Sequence, residues 1–327
     1  AQATNGSQPL PLAQWGAMKV QWVKTAWCAL FGAEVASFAA ALEDPSNVQF
    51  VLISDSTVPL KNFGYVYHQL VRHSPDTSKF CLASQARFAS ASMEMFTQET
   101  TRQCIFRDYL RALDRRTLKH HQWAVLARKH VATVVRRAKD ALEVWATSWR
   151  KAAPDLRGMG DGCSDEGVPI TALLLDLKIQ GGSTGNTWTD LTRLGVEENC
   201  LTYVRWRNCF SGTELDLGDW WHDAKVAVNE YSSVADLLKS HLFGDGAYDL
   251  LQSPLKSRLN GFPHTFFHIS EGYLRTMVQQ NFMFARKVEK GITVTMNDGS
   301  TKSLSEVLPG LWETVDWEQS GLLTWRR

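Results

Sequence analysis

Three separated segments of this chain set polar groups beside apolar runs: Phe50-Val-Leu-Ile-Ser-Asp-Ser-Thr-Val-Pro-Leu60, Cys163-Ser-Asp-Glu-Gly167 and Phe282-Met-Phe-Ala-Arg-Lys-Val288. The first reads as a buried strand that ends in hydroxyl and carboxylate groups at Ser54 and Asp55. The second offers adjacent acids, Asp165 and Glu166, at a helix start, and the third places Arg286 and Lys287 after an aromatic stretch. A carboxylate can take the proton of an attacking hydroxyl. Cations can neutralise the charge left on a departing diphosphate, and the edge of an α/β sheet is where such folds hold nucleotides. The chemistry these groups could supply together is group transfer from a nucleotide-activated donor to a hydroxyl.

Other candidate centres carry less. His264 and His268 stand four apart, but the intervening Thr-Phe-Phe has no general-base Glu and Pro263 favours an extended entry, so no zinc site is expected. His120, His121 and His130 lack a third ligand, and Glu214, Asp216, Asp219 and Asp223 read as solvated acids of a surface loop. Gln180 to Thr187 is Gly-rich but lacks the Gly-Lys-Ser/Thr ending of a phosphate loop. Trp123 could form a sugar-stacking wall, or could be ordinary core.

The elements that must position these groups follow from periodicity. Residues 1–12, with Pro9 and Pro11, read as a loose leader, and residues 13–327 as one domain. Apolar residues at three-to-four spacing from about Ala13 to Leu42 predict an amphipathic helix, and Val48 to Ser54 a strand buried on both faces. Phe63, Val66, Tyr67, Leu70 and Val71 predict a helix, so strand, loop and helix follow one another as in a Rossmann-type unit. Lys79 to Ala83 reads as a strand, and about 90–119 as a surface insertion. A long helix is predicted from Trp123 to about Lys151, with Arg128, Lys129, Arg136 and Arg137 as a solvated basic face. Ser164-Asp-Glu166 opens a capped helix through Leu175, strands are expected at 201–206 and 261–267, and Ser270 caps a helix to about Gln280. An insertion is expected at 208–260. The fold class expected is α/β.

Composition sets the bounds. The 327 residues are 44% hydrophobic and 21% charged, enough for a sizeable core. A formal charge of +1 gives no electrostatic reason to bind nucleic acid or an acidic membrane. Six cysteines without a Cys-x-x-Cys pair permit disulfides without assigning them; Cys163 and Cys200, beside the motif segments, could be bridged. The apolar stretch Trp27 to Leu42 is interrupted by Glu34 and too short to span a bilayer. With no initiator Met, the chain is expected to be a fragment or a processed lumenal part.

Phe50 to Leu60 resembles the strand-plus-Ser-(Asp/Glu)-x-x-x-Pro-Leu signature of the core-2/I-branching β-1,6-N-acetylglucosaminyltransferase family and its plant relatives. In order along the chain, Gln122-Trp-Ala-Val-Leu-Ala-Arg128 is similar to that family's Ser-(Gln/Ala)-(Trp/Tyr)-Phe-x-x-x-Arg segment. Asp165-Glu166 matches its Asp-Glu, and Val204-Arg-Trp206 and Phe284-Ala-Arg-Lys287 match its late strand and its Phe-Ala-(Arg/Asn)-Lys ending. The resemblance implies a GT-A-like mixed sheet flanked by helices. It also implies an inverting transfer from a UDP-sugar of the N-acetylglucosamine, xylose or glucuronic acid type to a hydroxyl of a glycan or glycoprotein, with no bound metal or other cofactor. On the matching positions, Glu166 is the base. Lys287, assisted by Arg286 and with Ser54 and Asp55 nearby, holds the donor. Trp206, Trp123, Gln122 and Asp165 face the acceptor. Family habit further implies a type II membrane protein of the Golgi lumen, tethered through an anchor that this chain does not carry.

The chain also departs from the pattern. It starts too late to hold the family's first nucleotide-binding strand, Gly167-Val-Pro-Ile170 replaces an aromatic run, and Arg205 stands where the plant-type strand has Asp. These departures make a catalytically inactive, carbohydrate-binding relative the alternative.

Overall fold

The computed structural model describes residues 20–25, 29–83, 118–152, 163–204 and 265–314. The leader, Trp206, most of the 90–119 stretch, the 208–260 segment, His264 and the acids Glu214 to Asp223 lie outside the described residues.

Helix α1 spans Phe31–Leu42 and buries Phe31, Glu34 and Phe38. It is shorter than the expected helix from about Ala13: residues 20–25 have no regular structure, and Trp22, counted in that periodicity, is 70% exposed. Three guanidinium hydrogen bonds from Arg128 to the carbonyls of Leu42, Asp44 and Asn47 tie off the end of α1. The chain then enters β1, Gln49–Val51, within the expected strand.

Strand β1 pairs antiparallel with β4, Val125–Ala127, which pairs antiparallel with β3, Ser78–Phe80; β3 in turn lies parallel to β5, Val196–Glu198. Strand β4 corrects the helix expected from Trp123. Every residue of it is buried, and a central strand covered on both faces shows no alternation, so its apolar run merges into the period of the helix that follows. That helix, α3, begins at Arg128 and runs to Ala152. Its basic face is not simply solvated, because Arg136 and Arg137 bind Asp176 at 2.9 and 2.8 Å on α4, Val168–Ile179.

A second sheet has the order β2-β8-β6, from Val58–Pro59, Phe284–Arg286 and Thr202–Val204, and a third the order β10-β9-β7, from Thr301–Ser303, Val288–Thr295 and Phe266–Ser270. Asn62 caps the short helix α2, Phe63–Tyr67, by accepting from the Tyr65 N–H at 2.8 Å, and a wider helical turn continues to His73. Asn186 caps α5, Thr187–Leu194. Ser270 caps α6, Glu271–Gln279, as its sequence predicts, and α7 is Leu304–Thr314. The expected α/β class holds, and the mixed sheets with flanking helices have the character of a GT-A-like fold.

One apolar core gathers α1, α3 and α4 around the first sheet; another gathers α6 and α7 on the second and third. A smaller cluster of Leu70, Val125, Leu201 and Met283 lies between strands of the first two sheets. Cys81 is bonded to Cys200, so the bridge considered between Cys163 and Cys200 does not form. Parallel pairing of β3 with β5 explains the partner: the Asn199 N–H donates to the Phe80 carbonyl at 2.9 Å, which brings the following cysteines side by side. Cys163 is itself disulfide-bonded. Among the described residues no helix is long and apolar enough to cross a membrane.

Candidate active site

Asp165 and Glu166 sit on a single 3-10 turn, Ser164–Glu166, wedged between the start of α1 and the start of α4. One backbone feature and two contacts fix this turn. Cys163 enters it in the left-handed region at φ 57°. The Leu30 N–H supports the Asp165 carboxylate. Gly167 lies directly against the indole of Trp145, where a Cβ would fall 2.1 Å from a ring carbon. The close approach of Trp145 accounts for glycine at this position.

Glu166 is ion-paired with Lys119, both largely buried. The backbone reinforces the pair: the His120 N–H donates to the Glu166 carbonyl at 2.8 Å, and the His121 N–H to the Cys81 carbonyl at 2.8 Å. The segment carrying Lys119 is thus laced both to the acid turn and to a disulfide-bonded cysteine. His120, fully enclosed beside Phe80, is driven down to about 3 by burial, so it is a neutral part of this wall.

The opposing charge arrives from the second sheet. Strand β8 carries Arg286, whose guanidinium carbon stands 3.8 Å from the ring centroid of Trp123, a cation-π geometry. Burial pulls Arg286 down to about 10, while Glu166 and Asp55 act in the opposite direction, so the cation lies within electrostatic reach of both acids. Its Nε is buried with no hydrogen-bond partner among the described residues. Asp55 lies exposed at the tip of a turn knotted by hydroxyls, Ser54 Oγ standing 3.1 Å from both Ser56 Oγ and Thr57 Oγ1. Pairing of β2 with β8 and the Val288 N–H bond to the Ser56 carbonyl at 2.9 Å hold that turn beside Arg286 and Lys287.

Of the residues singled out from sequence, Ser54, Asp55, Trp123, Asp165, Glu166 and Arg286 therefore gather in one place. Gln122 joins them through Glu34, to whose Oε1 its Nε2 donates at 3.0 Å. Lys287 follows Arg286 half-buried, its carbonyl accepting from the Phe266 N–H at 2.7 Å. Trp123 is 8% exposed and carries the guanidinium on its face. Trp206 lies outside the described residues. Sequence reasoning missed Lys119 and Glu34. Glu34 did leave a signal: it falls three residues after Phe31 and four before Phe38, on the apolar stripe of α1, where a carboxyl must be buried. Among the described residues no group of three or more His, Cys, Asp or Glu side chains is arranged to hold a metal ion.

The family model of the core-2/I-branching enzymes matches residues 17–232, more than half of the chain. The chain belongs to that family. The core-2/I-branching match covers Glu34, the Ser54 turn, Lys119 to Trp123 and the Asp165–Glu166 turn, and ends before Arg286 and Lys287. The chain is also similar to glycosyltransferase BC10 of rice, Oryza sativa subsp. japonica, with 32% identity over 119 residues. That alignment takes in 36% of this chain and a quarter of the length of the rice protein.

Proposed function

We propose that this core-2/I-branching family member is an inverting, metal-independent glycosyltransferase that moves a sugar from a UDP-sugar to a hydroxyl of a glycan or glycoprotein. One observation supports the reading: Arg286, from near the end of the chain, stacks on Trp123 and lies within electrostatic reach of Glu166, from its middle, and of Asp55. In the proposed step the acceptor oxygen bonds to the anomeric carbon from the side opposite the leaving group. Its proton passes to the Glu166 carboxylate, and the bond from the anomeric carbon to the phosphate oxygen breaks with its electron pair leaving on UDP. Arg286 and Lys287 offset the charge that develops on the diphosphate, the part a metal plays elsewhere. Trp123 orients the guanidinium, and Gln122 and Asp165 serve the acceptor, the role the resemblance also gives to Trp206. Lys119 keeps Glu166 aimed.

A disulfide-bonded interior suits an oxidising compartment, and by family habit that compartment would be the Golgi lumen. The test is a panel of UDP-sugars, including those of N-acetylglucosamine, xylose and glucuronic acid, offered to the purified protein and to its Glu166→Gln variant. Turnover should fall by about 10²–10⁴-fold in the variant while UDP still binds. Glycan binding by calorimetry without any UDP affinity would instead identify an inactive carbohydrate-binding relative.

A further inference from the structure

Helix α1 places Glu34 on the same buried face as Phe31 and Phe38, 6% exposed. One of its oxygens, Oε1, accepts from Gln122. The other, Oε2, is buried without a hydrogen-bond partner, and so is Asp165 Oδ1 on the neighbouring turn, among the described residues. The acid turn packs on α1, and the Asp165 charge acts on Glu34. Two neighbouring buried carboxyls that each leave an oxygen unpaired are the arrangement that a single proton resolves: one group becomes an O–H donor and the other remains its acceptor.

We propose that Glu34 and Asp165 hold one proton between them, Glu34 Oε2–H donating to Asp165, and that this uncharged acid is a positioning residue for the Asp165–Glu166 turn and the Gln122 amide. The positioning role rests on the transferase reading given above; the shared proton does not. Burial, with Asp165 and Glu166 adding to it, pushes Glu34 up to about 8, whereas Asp165 is raised to about 6, so Glu34 is the member that keeps the proton at neutral pH. The groups around the pair are consistent with this. From the turn come Asp165 and Glu166; from the 118–124 segment come Gln122, Lys119 engaged with Glu166, and His120 driven neutral by burial. Arg286 reaches Glu166 from β8. Helix α3, which also packs on α1, has Lys139, Asp140 and Glu143 exposed, and its Arg128 binds carbonyls at the far end of α1.

The sign of the pH effect follows. A carboxyl raised above its ordinary 4.5 on folding adds stability that is fully present below that value and lost as pH rises through about 8. In the Glu34→Gln variant the amide donates to Asp165 and accepts from Gln122 at every pH. Its melting temperature should stay level where that of the unmodified protein falls, the gap opening above about pH 4.5 and levelling off past about pH 8. A protonated-carboxyl band in the infrared at neutral pH should vanish in the same variant. In calorimetry, UDP affinity of the unmodified protein should weaken several-fold over that range while that of Glu34→Gln stays flat. Melting profiles that track each other, with the infrared band unchanged, overturn the proposal. If the melting gap opens but UDP binds at no pH, the shared proton stands and the transferase reading falls.

Discussion

Replacing Gly167 with alanine would drive a methyl carbon to within 2.1, 2.2 and 2.5 Å of three ring carbons of Trp145, an indole with no exposed surface. Van der Waals contact needs about 3.5–4.0 Å, so the turn or the ring must give by more than an ångström. The ring cannot swing out cheaply, since it is enclosed by the first core with Val168, Ile170 and Leu173. The displacement therefore falls on the backbone that carries Asp165 and Glu166. Overpacking of this kind costs about 1–3 kcal/mol, which lowers the melting temperature by roughly 1.5–5 °C in a chain of this size. A shift of Glu166, the proposed base, by about 1 Å would cost on the order of 10²-fold in turnover, so activity should fall further than stability. Differential scanning calorimetry and transfer kinetics read the two effects. Repeating both in a Trp145→Leu background isolates the clash, because there the alanine should cost much less. An alanine variant that melts and turns over like the unmodified protein, or whose cost is the same with and without the indole, would refute the claim that Trp145 seats the turn of the proposed base.

Arg286→Ala should weaken UDP binding by about tenfold or more, since it removes the cation held on Trp123, and Arg286→Lys should recover only part of it, because an ammonium lacks the planar stacking surface; unchanged titration calorimetry would remove Arg286 from the donor site. Opening the Cys81–Cys200 bridge, which closes a separation of 119 residues, should cost about 3–5 kcal/mol in chemical denaturation of a Cys81→Ala, Cys200→Ala pair. It should also loosen the His121 contact that holds Lys119 against Glu166. A double variant with native stability and native turnover would show that the bridge braces neither.

The sequence made the local parts of this site legible because their signals are local. Ser54 to Leu60 breaks a β-branched run with hydroxyls and a proline, and Ser270 caps a helix; each is decided by residues within one turn of itself. The capped helix expected to open at Ser164 is instead a separate 3-10 turn, and α4 begins at Val168 behind Gly167 with no side-chain cap. What stayed hidden depends on packing between distant segments. Strand β4 has the composition of the helix that follows it and becomes a strand only because β1 and β3 take up its backbone groups on either side. Strand β8 is three residues long and is defined by its partners β2 and β6. Lys119 looked like the end of a charged surface stretch, and only the hydrogen bonds of His120 and His121 bring it to Glu166. The partner of Cys200 was set by the register of β3 on β5, which no spacing of cysteines encodes.

The placement of the two key charges explains why so many contacts converge between sheets. Glu166 hangs from the first core, through Trp145 and α4, whereas Arg286 hangs from the second, through β8 and its neighbours. Their separation is therefore a property of neither core alone. It is set by the seam: the packing of Val125 with Leu201, Met283 and Leu70, the Leu60 N–H bond to the Met283 carbonyl at 2.8 Å, and the Met283 N–H bond to the Leu201 carbonyl at 2.8 Å. A truncation within either core costs stability in proportion to the buried volume removed. One at Met283 or Leu201 moves the acid relative to the cation as well, and a displacement of that kind enters the rate exponentially. With Glu166 and Arg286 in their proposed roles, the seam is where function should be more sensitive than folding.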